Sequence, residues 1–452
     1  MASDFDTIAA IATAPGEGGV AIIRISGPRC FEIADAVFSC PEPPPSQRAA
    51  GTFVYGRVIE ADGVPLDDAL LLIMRAPRSY TREDTVEIQG HGGPIVARRI
   101  LQRVLDQGAR SAEPGEFTKR AFLNGRLDLT QAEAVLDLIR ARSDRAAAAA
   151  LDQLEGALSR RINALYDRLL GVAGNLEATL DFSDQEIPPN VLDPTIDELD
   201  ACLADINALL ATWNEGHLLR EGATVVIAGK PNVGKSTLLN ALVGRDRAIV
   251  SDQPGTTRDT IEETLVLGGY PLILVDTAGI RETACGVERE GIRRTEQELA
   301  EADICLYLIE AEKGPDPEDR ALLAKLDPRK TIVVANKSDK TVSICAADVC
   351  VSSLTGDGLG SLRAELVRRL DTGAPHSIQH ASISTRHKSL LAAAREDAAA
   401  ALVGLRDASS ARPLDLIAAQ LRDALEDLGL ITGRVYHDAL LDTIFSRFCI
   451  GK

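Results

Sequence analysis

Four textures of apolar and polar positions follow one another along the chain. From residue 1 to about Asn124, short β-like runs (Val20–Ile25, Thr52–Ile59 and Val86–Ile88) surround a stretch with helical spacing, Ile95–Asp106, which predicts an α+β domain over 1–124. The proline run Pro41–Pro45 interrupts it as a stiff loop. Long helical patterns fill Leu129 to Asn214, including Arg140–Leu151 and Ile196–Trp213, with Pro188, Pro189 and Pro194 between them, and predict a helical domain over 125–218. Between Thr224 and Leu370 the apolar runs TVVIAG, PLILVD, ICLYLI and TIVVAN alternate with helical patterns, the order of a doubly wound α/β sheet over 219–374. Helical spacing returns from about Ser389, so 375–452 is expected to pack with the earlier helices, making the α/β domain an insertion in a helical one.

Composition narrows the class. At 45% hydrophobic and 26% charged residues, with no apolar run near the roughly 20 residues that cross a bilayer, the chain reads as globular and without membrane insertion. Asp4 and Asp6 stand where a targeting peptide carries basic residues, which points to the cytoplasm. Eight cysteines without a C-x-x-C pair suggest reduced thiols, most of them buried. A net charge of −18 argues against a general phosphate-coating binder, while leaving room for a local basic site.

The chemistry lies mainly in the α/β segment. An apolar strand runs into Gly229-x-x-x-x-Gly234-Lys235-Ser236 and then a helix, the context of a phosphate-binding P-loop. Loop amides, including those of Asn232, Val233 and Gly234, would surround phosphate oxygens; Lys235 would meet the outer phosphates, Ser236 would ligate magnesium and Thr237 would follow on the helix. Asp276-Thr277-Ala278-Gly279 ends the strand PLILVD, where the aspartate reaches magnesium through water and the Gly279 amide meets the γ-phosphate. Asn336-Lys337-Ser338-Asp339 fits the N-K-x-D pattern, in which the aspartate accepts the ring and exocyclic N–H groups of guanine; adenine lacks that donor pair. Ser352-Ser353-Leu354 fits a loop supporting the base. Gly255-Thr256-Thr257-Arg258-Asp259 fits a first switch segment, with Thr257 closing over magnesium. Ile280 follows Gly279 where Ras-like enzymes place a water-orienting glutamine, so another group must perform that task.

The chain resembles the tRNA-modifying GTPase family MnmE (TrmE) from end to end. The resemblance is carried by Gly18-Gly19-Val20 through Arg24-Ile25-Ser26-Gly27, by Leu123-Asn124-Gly125-Arg126-Leu127-Asp128-Leu129, by the motifs above, and by the terminal Phe448-Cys449-Ile450-Gly451-Lys452. It implies a multidomain α+β and α/β protein with a folate-binding-like first domain and a P-loop domain inserted in a helical one. It also implies a potassium ion beside the phosphates, held by Asn232, Ser251, Gln253 and Thr256, within a GTP-binding segment that includes Asp252, Pro254 and Gly255. Glu288 would position water, so Glu288, Lys235 and Asn232 form the implied catalytic set. Arg24, Glu87, Arg126 and Lys452 match positions that contact 5-formyltetrahydrofolate or methylenetetrahydrofolate, although arginine at 126 stands where lysine is common.

Implied cofactors are GTP, magnesium, potassium and the folate. Implied partners are tRNA, a second copy of the chain through the first domain, and the flavoprotein MnmG (GidA) in a heterotetramer or larger complex. The implied reaction adds a carboxymethylaminomethyl or aminomethyl group to carbon 5 of a wobble uridine. Two readings stay open for Cys449: a nucleophile adding to uracil, or a small buried residue packing the last helix. The alternative function is a ribosome-assembly GTPase of the Era or EngA type, which would be expected to carry a KH-type RNA module or a second P-loop; neither pattern is found.

Overall fold

The computed structural model describes residues 6–181, 192–244, 262–276, 302–340, 347–371, 383–406 and 414–452. Its contacts divide into two units. The first comprises Met1–Leu136, Ser159–Asp167 and Leu425–Lys452; the second comprises Asp137–Leu158 and Arg168–Ala424.

The first unit is built on a seven-stranded sheet of β1 (Ile8–Ile11), β2 (Val20–Ser26), β3 (Phe38–Ser39), β4 (Thr52–Ile59), β5 (Pro65–Met74), β6 (Thr85–His91) and β7 (Arg110–Ser111), in spatial order β3-β4-β5-β6-β2-β1-β7. Neighbours are antiparallel except β1 with β7. Alternation sets the faces: Ile23, Ile25, Leu71, Ile73, Val86 and Ile88 meet the helices Cys30–Val37 and Pro94–Asp106 through Ile33, Val37, Ile100 and Val104. Each such aliphatic side chain contributes about 1.5–3 kcal/mol on full burial. Arg24 and Glu87 lie in register across β2 and β6, between those core positions in sequence.

A second cluster joins chain segments far apart in sequence. Phe122 and Leu129 pack with Leu441, Ile444, Phe445 and Phe448. Gly115, at φ +69°, permits the approach, because a β-carbon there would lie 2.7 Å from the Phe445 carbonyl oxygen. The terminal segment continues to an antiparallel bridge between Pro114 and Ile450, and Gly451, at φ +97°, backs directly onto the Ile11 carbonyl.

In the second unit β8 (Ala223–Gly229), β9 (Glu262–Leu267), β10 (Tyr270–Asp276), β11 (Ile304–Glu310), β12 (Thr331–Asn336) and β13 (Val349–Cys350) form a sheet of order β13-β12-β11-β8-β10-β9. All pairs are parallel except the β9–β10 hairpin. The buried rows Val225/Ile227 and Val226/Ala228 of β8 enter two cores, one on each face of the sheet. The chain goes from β8 to β10 on one side and then to β11 on the other, so the carboxyl end of β8 lies at the switch point where open α/β sheets bind ligands. Helix Thr385–Arg406 packs on helix Asp193–Ala211, and Arg168 bonds Glu198 and Asp205 of the latter.

The mixed sheets and helices agree with the expected multidomain α+β and α/β class. Two predicted helical stretches contain breaks. Arg140–Leu151 divides into the ends of Leu129–Arg140 and Asp144–Leu154, because Ser143 leaves helical geometry and its hydroxyl caps the second helix at the Ala146 amide, 3.2 Å away. Ile196–Trp213 divides at Thr212 into Asp193–Ala211 and Trp213–Arg220, and Pro194 occupies the tolerated first turn of the former. Strands β1, β3, β5, β7 and β9 had no expected counterpart. Among the described residues, no helix is long and apolar enough to cross a membrane.

Candidate functional site

The carboxyl end of β8 enters a loop with three positive-φ residues, Gly229 (+140°), Asn232 (+63°) and Gly234 (+100°). A β-carbon on Gly229 would lie 2.5 Å from the Leu308 carbonyl oxygen, and one on Gly234 would strike the Asn336 amide nitrogen. Glycine at both positions therefore lets the loop fold tightly against β11 and β12. The helix Lys235–Val243 starts immediately after Gly234 without a side-chain cap, leaving its first amides for an anion. Lys235 is 8% exposed, and its ammonium donates to the Gly229 and Lys230 carbonyls at 2.9 and 3.0 Å, which holds it across the loop mouth. Val233 is buried, while Asn232, Ser236 and Thr237 are exposed.

Asn336, at the end of β12, joins this loop to the Ser352–Leu354 segment. Its amide donates to the Val233 carbonyl at 2.8 Å and its carbonyl accepts from the Ser353 amide and hydroxyl at 3.1 and 2.8 Å. Lys337, at φ +63°, donates to the Asn232 carbonyl at 2.7 Å and pairs with Glu310. Ser338 and Asp339 form a 3-10 turn with Lys340. Ser352 donates to Asp339 at 2.6 Å, and this bond holds the exposed carboxyl below its usual range, keeping it an ionised acceptor. Leu354, two residues after Ser352, is 80% exposed.

Sequence spacing did not single out the acidic supports of this region. Glu310 is held at about 2 by Lys313 and Lys337. Lys230 pairs with Asp316 and, at 3.2 Å, with Glu318; Asp316 also caps the helix Pro317–Leu323. These groups fix the lysines of the two loops, and an alternating or helical pattern carries no trace of such pairing.

Asp276 ends β10, opposite Ile227 of β8. Ser251, Asp252, Gln253, Pro254, Gly255, Thr256, Thr257, Thr277, Ala278, Gly279 and Glu288 lie outside the described residues.

In the first unit a second group of expected residues comes together. Arg24 donates to Glu87 at 2.8 Å, and its guanidinium lies 5.0 Å from the Tyr80 ring centre and 5.5 Å from that of Phe117. Arg126 covers Tyr80 at 4.7 Å and donates to the Tyr80 carbonyl at 2.8 Å. Two arginines thus share one aromatic ring, a use of Tyr80 that its sequence position does not reveal. The terminal segment reaches the same sheet at β1, where Gly451 meets Ile11, one residue from Ala10, the register partner of Arg24; Lys452 follows Gly451. Cys449 is exposed, which corrects the reading of a buried packing residue: its neighbour Phe448 enters the core in its place. Cys30, Cys202 and Cys305 are buried, and burial pushes the Cys305 thiol up to about 12.

In the first unit, Arg120 is 2% exposed and bonds Asp6, Glu83 and Glu116, while Arg110 also bonds Asp6 and Glu116. Arg110 holds the Asp6 carboxyl below its usual range, with Arg120 adding to the effect. Burial raises Glu116, but the hydrogen bonds from Arg110, the Glu113 amide and Arg120 outweigh it and leave that carboxyl lowered.

Comparison with known proteins covers both units. A family model described as the GTP-binding protein TrmE N-terminus matches residues 7–126, and one described as the MnmE helical domain matches residues 129–449. The tRNA modification GTPase MnmE of Moorella thermoacetica is 46% identical, with 99% of each chain covered. That of Geobacter sulfurreducens is 45% identical with the same coverage. A crystal structure of Aquifex aeolicus Era is 28% identical over 38% of this chain and 66% of its own, with a TM-score of 0.26. With relatives of such identity matched along their full length, this chain belongs to the tRNA modification GTPase MnmE family.

Proposed function

We propose that this GTP hydrolase is activated by potassium and, with a flavoprotein partner, forms a carboxymethylaminomethyl or aminomethyl group on carbon 5 of the wobble uridine of certain tRNAs, using a folate one-carbon unit. The observation that carries the nucleotide reading is the double attachment of Asn336, which sets the phosphate loop and the Asp339 turn at fixed spacing. Asp339 accepts the paired donors of guanine. Lys235 and the amides at the start of its helix stabilise charge on the outer phosphates. The tight Gly229–Gly234 loop fits a phosphate chain, with Ser236, Thr257 and, through water, Asp276 as the magnesium-side residues. When bound beside the phosphates, potassium supplies positive charge where an arginine finger would act; Asn232, Ser251, Gln253 and Thr256 are its proposed holders. Glu288 orients the attacking water in place of a glutamine.

In the first unit, Arg24, Glu87, Arg126 and Lys452 are the proposed folate contacts, with Arg24 and Arg126 offering cations around Tyr80. Cys449 is a proposed nucleophile, and its exposure supports access to a uracil ring. Phe53, Tyr55 and Leu70 are 71%, 64% and 41% exposed on adjacent strands, with Tyr55 opposite Leu70. This apolar sheet face supports homodimerisation through the first unit.

Nucleoside analysis of tRNA from cells lacking the protein tests the reading: the wobble-uridine modification is expected to disappear, and its persistence would overturn the proposal. GTP turnover is expected to fall sharply when sodium replaces potassium, with Asn232→Ala abolishing the difference.

A further inference from the structure

The β9–β10 hairpin joins, in sequence, the Gly255–Asp259 segment to the Asp276–Gly279 segment. Its strands pair from Tyr270 opposite Leu267 to Val275 opposite Glu262, and Gly268 and Gly269, both at positive φ, make the turn. A continuous ladder of this length transfers a tilt at its open end to its turn. The open end adjoins both segments assigned to the γ-phosphate; the turn lies at the other end of the strands.

That turn is held by the N-cap and first-turn side chains of one helix. The Ser143 hydroxyl donates to the Gly269 carbonyl at 2.7 Å and itself accepts from the Ala146 amide, at 3.2 Å, at the start of helix Asp144–Leu154. Arg145, in the first turn of this helix, places its guanidinium 4.5 Å from the centre of the Tyr270 ring and pairs with Glu215. Tyr270 is 2% exposed, and a β-carbon on Gly269 would already press the Arg145 stem at 3.3 Å. The helix Trp213–Arg220, which carries Glu215, continues through Gly222 into β8 and bonds back through Arg220 to Asp137 and Gln153. The phosphate-loop strand is therefore attached to this helical group through the backbone, while the hairpin is attached through Ser143 and Arg145. The hairpin is also laddered to β8 from Leu272 opposite Ala223 to Asp276 opposite Ile227, so the Ser143 and Arg145 contacts are the side-chain links between its turn and the helix.

We infer that Ser143 and Arg145 are positioning residues through which nucleotide state, read at the open end of the hairpin, is passed to helix Asp144–Leu154. The inference rests on the GTPase reading and adds the element that receives the signal. Hydrogen exchange of peptides spanning residues 144–154 tests it in the full chain, with GDP and with GDP plus aluminium fluoride in potassium. Wild-type protein is expected to show a difference between the two states. In Ser143→Ala/Arg145→Gln, that difference should fall by at least about threefold while GDP affinity stays within about twofold. Arg145→Lys, which keeps a cation near the ring, should restore part of it. Tyr270→Leu preserves apolar volume without an aromatic face and should reproduce the loss; thermal melting checks that each variant folds. An unchanged difference in the double variant, or none in wild-type protein that binds both nucleotide states, overturns the inference. Failure of wild-type protein to bind guanine nucleotides would instead overturn the GTPase reading.

Discussion

The loops at the end of β8 and the Arg24 region of the first unit fix their charged groups by opposite means. The β8 loops rely heavily on backbone: positive-φ residues, helix-end amides and carbonyls that hold Lys235, with Asn336 as the tie. The Arg24 region uses side chains from β2, β6, the segment around Tyr80, the helix of Phe117 and the stretch after it. A backbone-built site comes as contiguous motifs, whereas a side-chain-built site is dispersed and joined only by folding.

The largest expected effect lies in the base pocket. Asp339→Asn removes the acceptor for both guanine donors and should lower GTP affinity by roughly 10³-fold, measured by fluorescent-nucleotide titration, while improving binding of xanthosine triphosphate. Unchanged preference for GTP would remove Asp339 from base recognition. Next, Asn336→Ala breaks three hydrogen bonds and leaves buried partners unsatisfied, so nucleotide affinity should fall about 100-fold in the same titration. In the first unit, Arg24→Gln should reduce tRNA modification about tenfold by nucleoside analysis while GTP turnover stays within about twofold, since a charge-assisted contact is lost away from the phosphates. Equal losses in both assays would erase the functional distinction between the two regions.

The smallest expected effect is on acid stability. Asp6 and Glu116 have lowered folded pKa values, so their stabilisation is present above their unfolded values and is lost as pH falls through the folded ones. Arg110→Gln raises those folded values, and the midpoint of acid unfolding, followed by circular dichroism, should move to higher pH. A midpoint shifted to lower pH would contradict this assignment.

Legibility followed the same division. Strands β8, β10, β11 and β12 were evident as apolar runs because both faces of that sheet are buried. Strand β9 was missed because its sequence, EETLVL, begins with two glutamates and lies at the sheet edge. The motif at 336–339 marked Asn336 for the base loop, but its bond to Val233 depends on the crossover that brings β12 near β8, beyond local periodicity. Arg24, Glu87 and Arg126 were legible only through family resemblance, and Tyr80 and Phe117 carried no signal. Their shared geometry arises from strand register and from a helix packed beside it. Arg120 was equally silent, since arginine in a helical pattern ordinarily suggests a solvated face.

The Lys119–Asp442 bond, spanning 323 residues of sequence, bears on how the protein is made. A ribosome delivers residues 219–374 well before residues 425–452, which complete the first unit around Gly115 and Ile11. During synthesis the nucleotide-binding sheet can therefore mature while the first-formed part of the chain still lacks its closing segment. The first unit is thus completed only by a segment that follows the inserted sheet in sequence.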